Sequence, residues 1–350
     1  MRIIYGVQAT GNGHITRSRE VIKALKKRGH DVHVIFSGRD PRDLWDIDVF
    51  KPYTAFKGFT FVTRRGKLRY FPTLAQLSPI RFFRDIKAFD ASSFDLAIID
   101  FEPVSARIAK RYGIPSIGLG HQYAFHHRIP VAKWDPLARM VLKYFAPVSY
   151  PIGLHWHHYN RPILPPIVPM MTVNGHDKVN NKIVVYLPFE DQQAVIDLLW
   201  PFKHYDFDYY TSVDQPVRKG HIFLHPFSRD GFLNDLIGSS GVICNAGFEL
   251  ASEALHLGKK LLIRPLAGQL EQTSNALAIE QLKLGKSMSS LDQETVRQWL
   301  KNEALPPVAY PDVAGAVADW IEDGVLTDME SLVKRVWSQV PDERYAYDAA

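Results

Sequence analysis

The sequence predicts an α/β protein built from two doubly wound domains that face each other across a cleft. Three observations carry this reading. Short β-rich apolar runs alternate with amphipathic helical stretches, the pattern of βα units around a mostly parallel sheet. The alternation fails past about Lys133, in a tract rich in proline, aromatics and histidine, and restarts at NKIVVYLPF. At 350 residues the chain is long enough for two cores.

In the first half the strands read RIIYGV, DVHVIFSG, FDLAIID and IPSIGLG. Between the first two lies TRSREVIKALKKRG, in which Val21, Ile22 and Leu25 share one helical face and Gly29 can end the helix. The second half supplies NKIVVYLPF, DFDYYTS, HIFLHPF, GVICNAG and KLLIRPLAG, with helices between them. Two more helical stretches follow, near Asp312–Glu322 and Asp328–Val340. The expected division is 1–165 for a first domain, 166–180 for a linker and 181–325 for a second domain. Residues 326–350 form a terminal helix that can cross back to the first. Ligands of such sheets sit at the carboxyl ends of the strands, so the two domains enclose a cleft between those ends.

Composition excludes several classes. Hydrophobic residues make up 46% and charged residues 23%, which suits a globular chain. No apolar run approaches the roughly 18 residues of a membrane span, and no leader peptide precedes IIYGV, so a cytoplasmic location is expected. The single cysteine, Cys244, rules out an internal disulfide and a multi-cysteine metal site. The net charge of +5 suits an anionic ligand or a membrane surface. No nucleic-acid-binding signature occurs. The densest basic run, TRRGKLRY (Thr63–Tyr70), reads as a solvated loop.

Two turns carry the chemistry. The first, YGVQATGNGHITRS, sets Gly11, Asn12, Gly13 and His14 between a strand and its helix. It lacks the Lys-Ser/Thr of a P-loop and the third glycine of the dinucleotide fingerprint. What remains is a glycine turn with a histidine at a helix N-terminus, where the dipole favours the neutral imidazole needed by a general base. The second, CNAGFELASEALHLG, puts Gly247 and Phe248 at a helix start, where backbone amides can cradle a diphosphate. Glu253, a turn and a half further on, can accept two hydrogen bonds from a ribose diol. In the next turn Gly268, Gln269, Glu271 and Gln272 offer partners for sugar hydroxyls. Together these residues describe a nucleotide-sugar pocket.

On these motifs the chain resembles the GT-B glycosyltransferases, which pair two Rossmann-like domains. Within them it is most similar to the peptidoglycan N-acetylglucosaminyltransferase, of family 28 type, and related bacterial and archaeal transferases. The likeness covers most of the chain and is sharpest over Gly6–Arg28 and Ser239–Gly285. It implies that Gly11, Asn12, Gly13 and His14 form a loop facing the acceptor and its phosphates. It also implies that Gly247 marks the diphosphate helix, that Glu253 holds the ribose and that Glu271-Gln272 bind the donor sugar. In GLGHQYAFHH, Gln122 corresponds to the family's glutamine, with His121 beside it. LPFED (Leu187–Asp191) departs from the family's Gly/Ser-rich loop, and that loop's role is not carried over. Glu249 and Glu253 are four apart rather than the eight of retaining relatives, which implies inversion at the anomeric carbon.

The expected reaction moves a hexose or N-acetylhexosamine from a nucleotide-diphosphate sugar, UDP-linked, to a hydroxyl of a cell-envelope glycan or glycolipid. No cofactor and no metal are expected. His14 is the first choice for general base, with Asp100 and Glu102 of IIDFEP as alternatives. For Asp100 and Glu102 a helix-capping role competes with catalysis. Six histidines (His121, His126, His127, His155, His157, His158) match no standard metal spacing. With Tyr123, Phe125, Arg128, Trp134 and Trp156 they suit an acceptor groove. PLARMVLKYF (Pro136–Phe145) reads as core packing, with peripheral contact at the inner face of the membrane as the competing reading. HPFSR (His225–Arg229) marks another strand end near the site. A nucleotide-sugar epimerase on the same fold and a non-catalytic sugar-nucleotide-binding protein are the alternatives.

Overall fold

A computed structural model describes residues 1–40, 42, 47–58, 63–64, 67–68, 78–132, 135–170, 179, 181–324, 326 and 328–341. The first half runs β1 (Arg2–Gln8), α1 (Asn12–Lys27), β2 (Asp31–Ser37), β3 (Tyr53–Phe56), β4 (Thr63–Arg64), β5 (Lys67–Leu68), α2 (Pro79–Ala88), β6 (Leu96–Asp100) and α3 (Pro103–Tyr112). It continues with β7 (Ser116–Gly120), the single turn α4 (His121–Ala124), α5 (Pro136–Tyr144), β8 (Tyr150–Leu154) and β9 (Ile163–Leu164). Seven of these strands form one parallel sheet in the order β3-β2-β1-β6-β7-β8-β9. Strand β1 lies in its middle with both faces covered, which is why IIYGV is a continuous apolar run rather than an alternating one. Val21, Ile22 and Leu25 of α1 are fully buried, and Gly29, at φ +79°, turns the chain out of the helix.

The second half contains β10 (Lys182–Tyr186), α6 (Gln192–Leu199), β11 (Asp206–Tyr210), β12 (Val217–Lys219), β13 (Ile222–His225), α7 (Arg229–Gly238) and β14 (Gly241–Asn245). After these come α8 (Phe248–His256), β15 (Lys260–Arg264), α9 (Leu270–Gln281), β16 (Lys286–Ser287), α10 (Gln293–Lys301), α11 (Val313–Glu322) and α12 (Met329–Trp337). Its sheet has the order β12-β13-β11-β10-β14-β15-β16, parallel except for β12. Both halves are therefore doubly wound, as the alternation of runs predicts.

The strand orders fix where ligands can go. The direction of winding reverses between β1 and β6 in one sheet and between β10 and β14 in the other. A doubly wound sheet opens a crevice at its switch point, beyond the carboxyl ends of the strands. The glycine turn after β1 and Asp100 at the end of β6 meet at the first switch point. Gly247, just after β14, stands at the second.

Three features depart from the linear reading. Strand β8 lies inside the proline- and glycine-rich tract where the pattern fails, and it joins the first sheet beside β7. Gly153 is needed there, because a Cβ would fall 2.6 Å from Ala124 Cα. Helix α11, within the span expected for the second domain, packs on α1, and Arg28 Nη2 pairs with Asp319 at 2.6 Å. Helix α12 lies against β9, where Trp337 Nε1–H donates to the Ile163 carbonyl at 2.7 Å. Of the expected linker, residues 171–178 and 180 lie outside the described residues, whereas Ile167 and Val168 are buried in the core. In the basic run, β4 and β5 pair as a short antiparallel ladder, and its other residues lie outside the described set. Among the described residues no helix is long and apolar enough to cross a membrane.

Candidate active site

Helix α1 starts at Asn12 with Gly11 as N-cap and no side-chain cap, so its first amides point into the opening unclaimed by a side chain. His14, in the first turn, is partly exposed. Its Nδ1 lies 2.8 Å from Asp100 Oδ1. Asp100 is fully buried and also accepts from Arg17 Nε at 2.8 Å, Arg17 Nη2 at 2.5 Å and Ser18 Oγ at 3.0 Å. Burial by itself would raise the Asp100 carboxyl. Arg17, and then His14, outweigh it and hold the group below the usual carboxylate range. Arg17 Nη2 also lies 2.8 Å from His14 Nδ1, so the tautomer matters. With Nδ1–H donated to Asp100, the lone pair of Nε2 is the ring's remaining acceptor, and among the described residues it has no partner.

Arg17 is the hub. The sequence reading missed it, although it and Ser18 follow His14 at helical i+3 and i+4 spacing, the face a buried partner would use. Arg17 is 2% exposed, and its Nη1 donates to Glu249 Oε1 across the cleft, in the first turn of α8. Gly13 permits that approach, because a Cβ there would fall 2.6 Å from Glu249 Cγ. One guanidinium thus serves two carboxylates. Asp100 holds the charge, while burial pushes Glu249 up to about 7 against the pull of Arg17 and with the help of Asp100 and Glu271. Glu249 Oε2 is buried and, among the described residues, has no hydrogen-bond partner.

The second-domain residues fall into two groups. Gly247 is the N-cap of α8, has no side-chain cap bond, and a Cβ there would meet nothing within 4 Å. Gly268, at φ +80°, faces equally open space, and Gln269 caps α9 without a side-chain bond. Among the described residues, no side chain covers the backbone of these turns. Glu253 reaches solvent only in part. Enclosure by protein, and then the nearby Glu249 charge, push its carboxyl up to about 8, against Arg229 at the start of α7. Arg229 belongs to the HPFSR segment, so that strand end does approach the site. Glu271 Oε2 accepts from Gln122 Nε2 at 3.1 Å, and Gln122 Oε1 accepts from Arg17 Nη2 at 3.4 Å. Asn12 Nδ2 donates weakly to Tyr186 OH at 3.5 Å, another contact across the cleft.

The structure uses other expected residues differently. Glu102 is fully buried as the N-cap of α3, accepting from Val104 N at 2.8 Å, Ser105 N at 2.6 Å and Ser37 Oγ at 2.7 Å. It is a cap and not a base. His121 is fully buried between the domains, stacked on Phe248 with centroids 4.1 Å apart, with Nε2 2.7 Å from Asn275 Oδ1 and Nδ1 2.8 Å from the Leu154 carbonyl. Burial lowers its basicity, so it offers no charge to a phosphate. The Phe248 ring belongs to the same interdomain stack, leaving only its backbone amide for a ligand. Gln272 turns inward, its Oε1 accepting from Leu266 N at 3.0 Å, and shapes the turn that carries Gly268. Of the aromatic and basic groove residues, Tyr123 and Trp156 are core. Trp134 lies outside the described set, and Phe125 and Arg128 remain at the surface of the groove.

The sequence holds two Asp-x-Asp triplets, Asp46–Asp48 and Asp206–Asp208. Asp208, His225 and Asp235 are the one convergent set of metal-type ligands among the described residues. Lys182 Nζ sits 3.0 Å from Asp208 and 2.7 Å from Asp235, so an ammonium already pairs with both carboxylates of that cluster. Of the six histidines, His157 and His158 stack on each other, and His155 is buried and held neutral.

Two doubly wound domains whose switch points open on one shared cleft, with a histidine–aspartate pair on one side and bare helix starts on the other, define the GT-B class of glycosyltransferases. Residues 1–306 match the model of glycosyl transferase family 1, and the chain belongs to that family. Solved structures agree on the fold. The glycosyltransferase of kitacinnamycin is 14% identical and superposes with a TM-score of 0.60, over 97% of this chain and 99% of that one. Arabidopsis thaliana UGT89C1 complexed with quercetin is 11% identical, with a TM-score of 0.60 over 96% and 99%. MurG of Acinetobacter baumannii is 15% identical, with a TM-score of 0.53 over 92% and 99%. Among curated proteins the comparison finds no match.

Proposed function

We propose that the protein is an inverting transferase that moves a hexose or N-acetylhexosamine from a UDP-linked sugar to a hydroxyl of a cell-envelope glycan or glycolipid. The carrying observation is the His14–Asp100 pair, which opens onto the same cleft as the Gly247 and Gly268 turns. UGT89C1 has also been solved complexed with UDP, which supports a uridine nucleotide. Residues 1–165 serve the acceptor and 181–325 the sugar donor.

In this reading His14 Nε2 takes the acceptor hydroxyl proton as its oxygen attacks the anomeric carbon. The bond from that carbon to the diphosphate breaks, and its electron pair leaves with the nucleotide. Asp100 keeps the imidazole oriented and stabilises the imidazolium that forms. The developing diphosphate charge meets the amides of Gly247 and Phe248 at the start of α8, so that no metal or cofactor is called for. Glu253 accepts from the ribose diol, and Glu271 with Gln269 contacts the sugar. The enzyme works in the cytoplasm, and α5, with Met140 and Tyr144 exposed between basic residues, offers a peripheral membrane contact.

The test is thermal stabilisation by UDP, GDP, dTDP and their sugars, in wild type and Glu253→Ala. A ligand at about 100 times its dissociation constant adds about 2.7 kcal/mol. Stabilisation by uridine nucleotides, lost in the variant, is expected. An unchanged response in Glu253→Ala removes the ribose assignment, and no response to any nucleotide removes the reading. A product formed without any acceptor would point to the epimerase instead.

A further inference from the structure

Glu249 stands where the two domains meet, at the second position of α8. Gly247 caps that helix without a side chain, so its free first amides include those of Phe248 and Glu249 themselves. The Glu249 side chain packs on the start of α1, so closely that a Cβ on Gly13 would fall 2.6 Å from its Cγ. The residue is 7% exposed. Its Oε1 accepts from Arg17 Nη1, and its Oε2, also buried, has no partner among the described residues.

The charges that face it do not balance. Arg17 of α1 is already bound by Asp100, at the end of β6, through Nε and Nη2. His14, on the same helix, pairs with Asp100 as well. Asp100 and Glu271 of α9 add negative charge around Glu249, as does Glu253 on its own helix, and Arg229 at the start of α7 faces Glu253. Tyr5 of β1 adds none, because burial holds its hydroxyl protonated. A buried carboxylate with one oxygen unpaired pays a desolvation cost that a proton removes. Burial accordingly pushes Glu249 up to about 7. A diphosphate held by the amides at the start of α8 would bring further negative charge beside this residue. Like charge at such range raises a carboxyl by about one unit or more.

We infer that Glu249 takes up a proton from solvent when the sugar nucleotide binds, so that a neutral carboxylic acid, and not a carboxylate, stands beside the diphosphate. With that proton in place Arg17 is left to Asp100, which orients His14. The inference rests on the donor reading of α8 and adds to it a residue through which donor affinity depends on pH.

Calorimetric titration of the full chain with UDP-glucose and with UDP-N-acetylglucosamine, in HEPES and in Tris buffer, tests it. The dependence of the heat on the ionisation enthalpy of the buffer counts the protons exchanged. Neither ligand has a phosphate of its own to protonate near neutral pH. With the carboxyl at about 7 in the free protein and about one unit higher in the complex, wild type should take up about 0.4 of a proton at pH 8. Its affinity should fall about fivefold between pH 6 and pH 8. Glu249→Gln should lose this uptake and this fall, since glutamine has nothing to titrate while His14, Glu253 and Glu271 remain. If that variant does not fold, Glu249→Ala is read in its place. Binding without proton uptake in wild type overturns the inference alone, and so does an uptake that survives in the variant. No binding of either ligand at either pH overturns the donor reading, and the inference with it.

Discussion

Glu249→Gln tests the distribution of charge at the centre of the cleft. In the native protein Arg17 lies between two buried carboxylates, and one positive charge cannot fully compensate both. Asp100 takes it, and Glu249 is pushed up to about 7, from an ordinary 4.5. Each unit of difference between folded and unfolded states is worth about 1.36 kcal/mol, so Glu249 alone accounts for about 3 kcal/mol. The sign follows from a raised carboxyl. The folded state holds this proton more tightly than the unfolded chain, so the contribution is fully present below about pH 4.5 and is lost as pH rises through about 7. Glutamine has no proton to lose and still offers an oxygen to Arg17. The assay is urea unfolding of wild type and Glu249→Gln from about pH 4.5 to about pH 8. The stability of the variant minus that of wild type should climb by about 3 kcal/mol across that interval. Glu253, raised for the same reason, contributes a similar slope to both proteins and largely cancels. A difference that does not change with pH would refute the assignment of the proton to Glu249.

Other consequences are as direct. His14→Ala should reduce acceptor-dependent transfer by about 10²- to 10⁴-fold and also cost about 1 to 3 kcal/mol of stability, since the side chain is only 14% exposed and bonds the buried Asp100; undiminished transfer would remove His14 as the base. Asp100→Asn should destabilise the fold by about 3 to 5 kcal/mol in urea unfolding, because Arg17 stays buried with Glu249 as its one remaining carboxylate; a cost under about 1 kcal/mol would mean that Arg17 finds another partner. Gly13→Ala, which in a solvent-exposed helix would be favourable, should instead cost about 1 to 3 kcal/mol by forcing Glu249 away from α1. A stabilised Gly13→Ala protein would show that the interdomain contact is loose.

Much of the architecture was legible in the order of residues, because the forces behind it are local or periodic. Continuous apolar runs bounded by turns mark strands buried on both faces, and Val21, Ile22 and Leu25 mark the inner face of α1. Strands β8 and β9 were not legible. Proline and glycine in β8 erase the propensity signal, and β9 is two residues long, so both exist through pairing with a sheet already in place. The same is true of where the C-terminal helices dock. A helical pattern shows which face is apolar and says nothing about which distant surface it covers.

The candidate site divides along the same line. By itself the sequence determined that glycine-rich turns stand at strand ends, that His14 opens a helix, and that Gly247, Gly268, Glu253 and Glu271 cluster after the late strands, since all of these are fixed by spacing within one βα unit. Only the tertiary structure decided which side chains meet. It brought Asp100 to His14 from 86 residues away and Glu249 to Arg17 from 232. It turned Glu102 into a cap, Gln272 into a brace for its own turn and His121 into a stacking partner of Phe248. The reason is physical: a polar side chain takes its role from the partner that satisfies it once water is excluded, and that partner is chosen by sheet order and domain contact, which spacing along the chain does not encode.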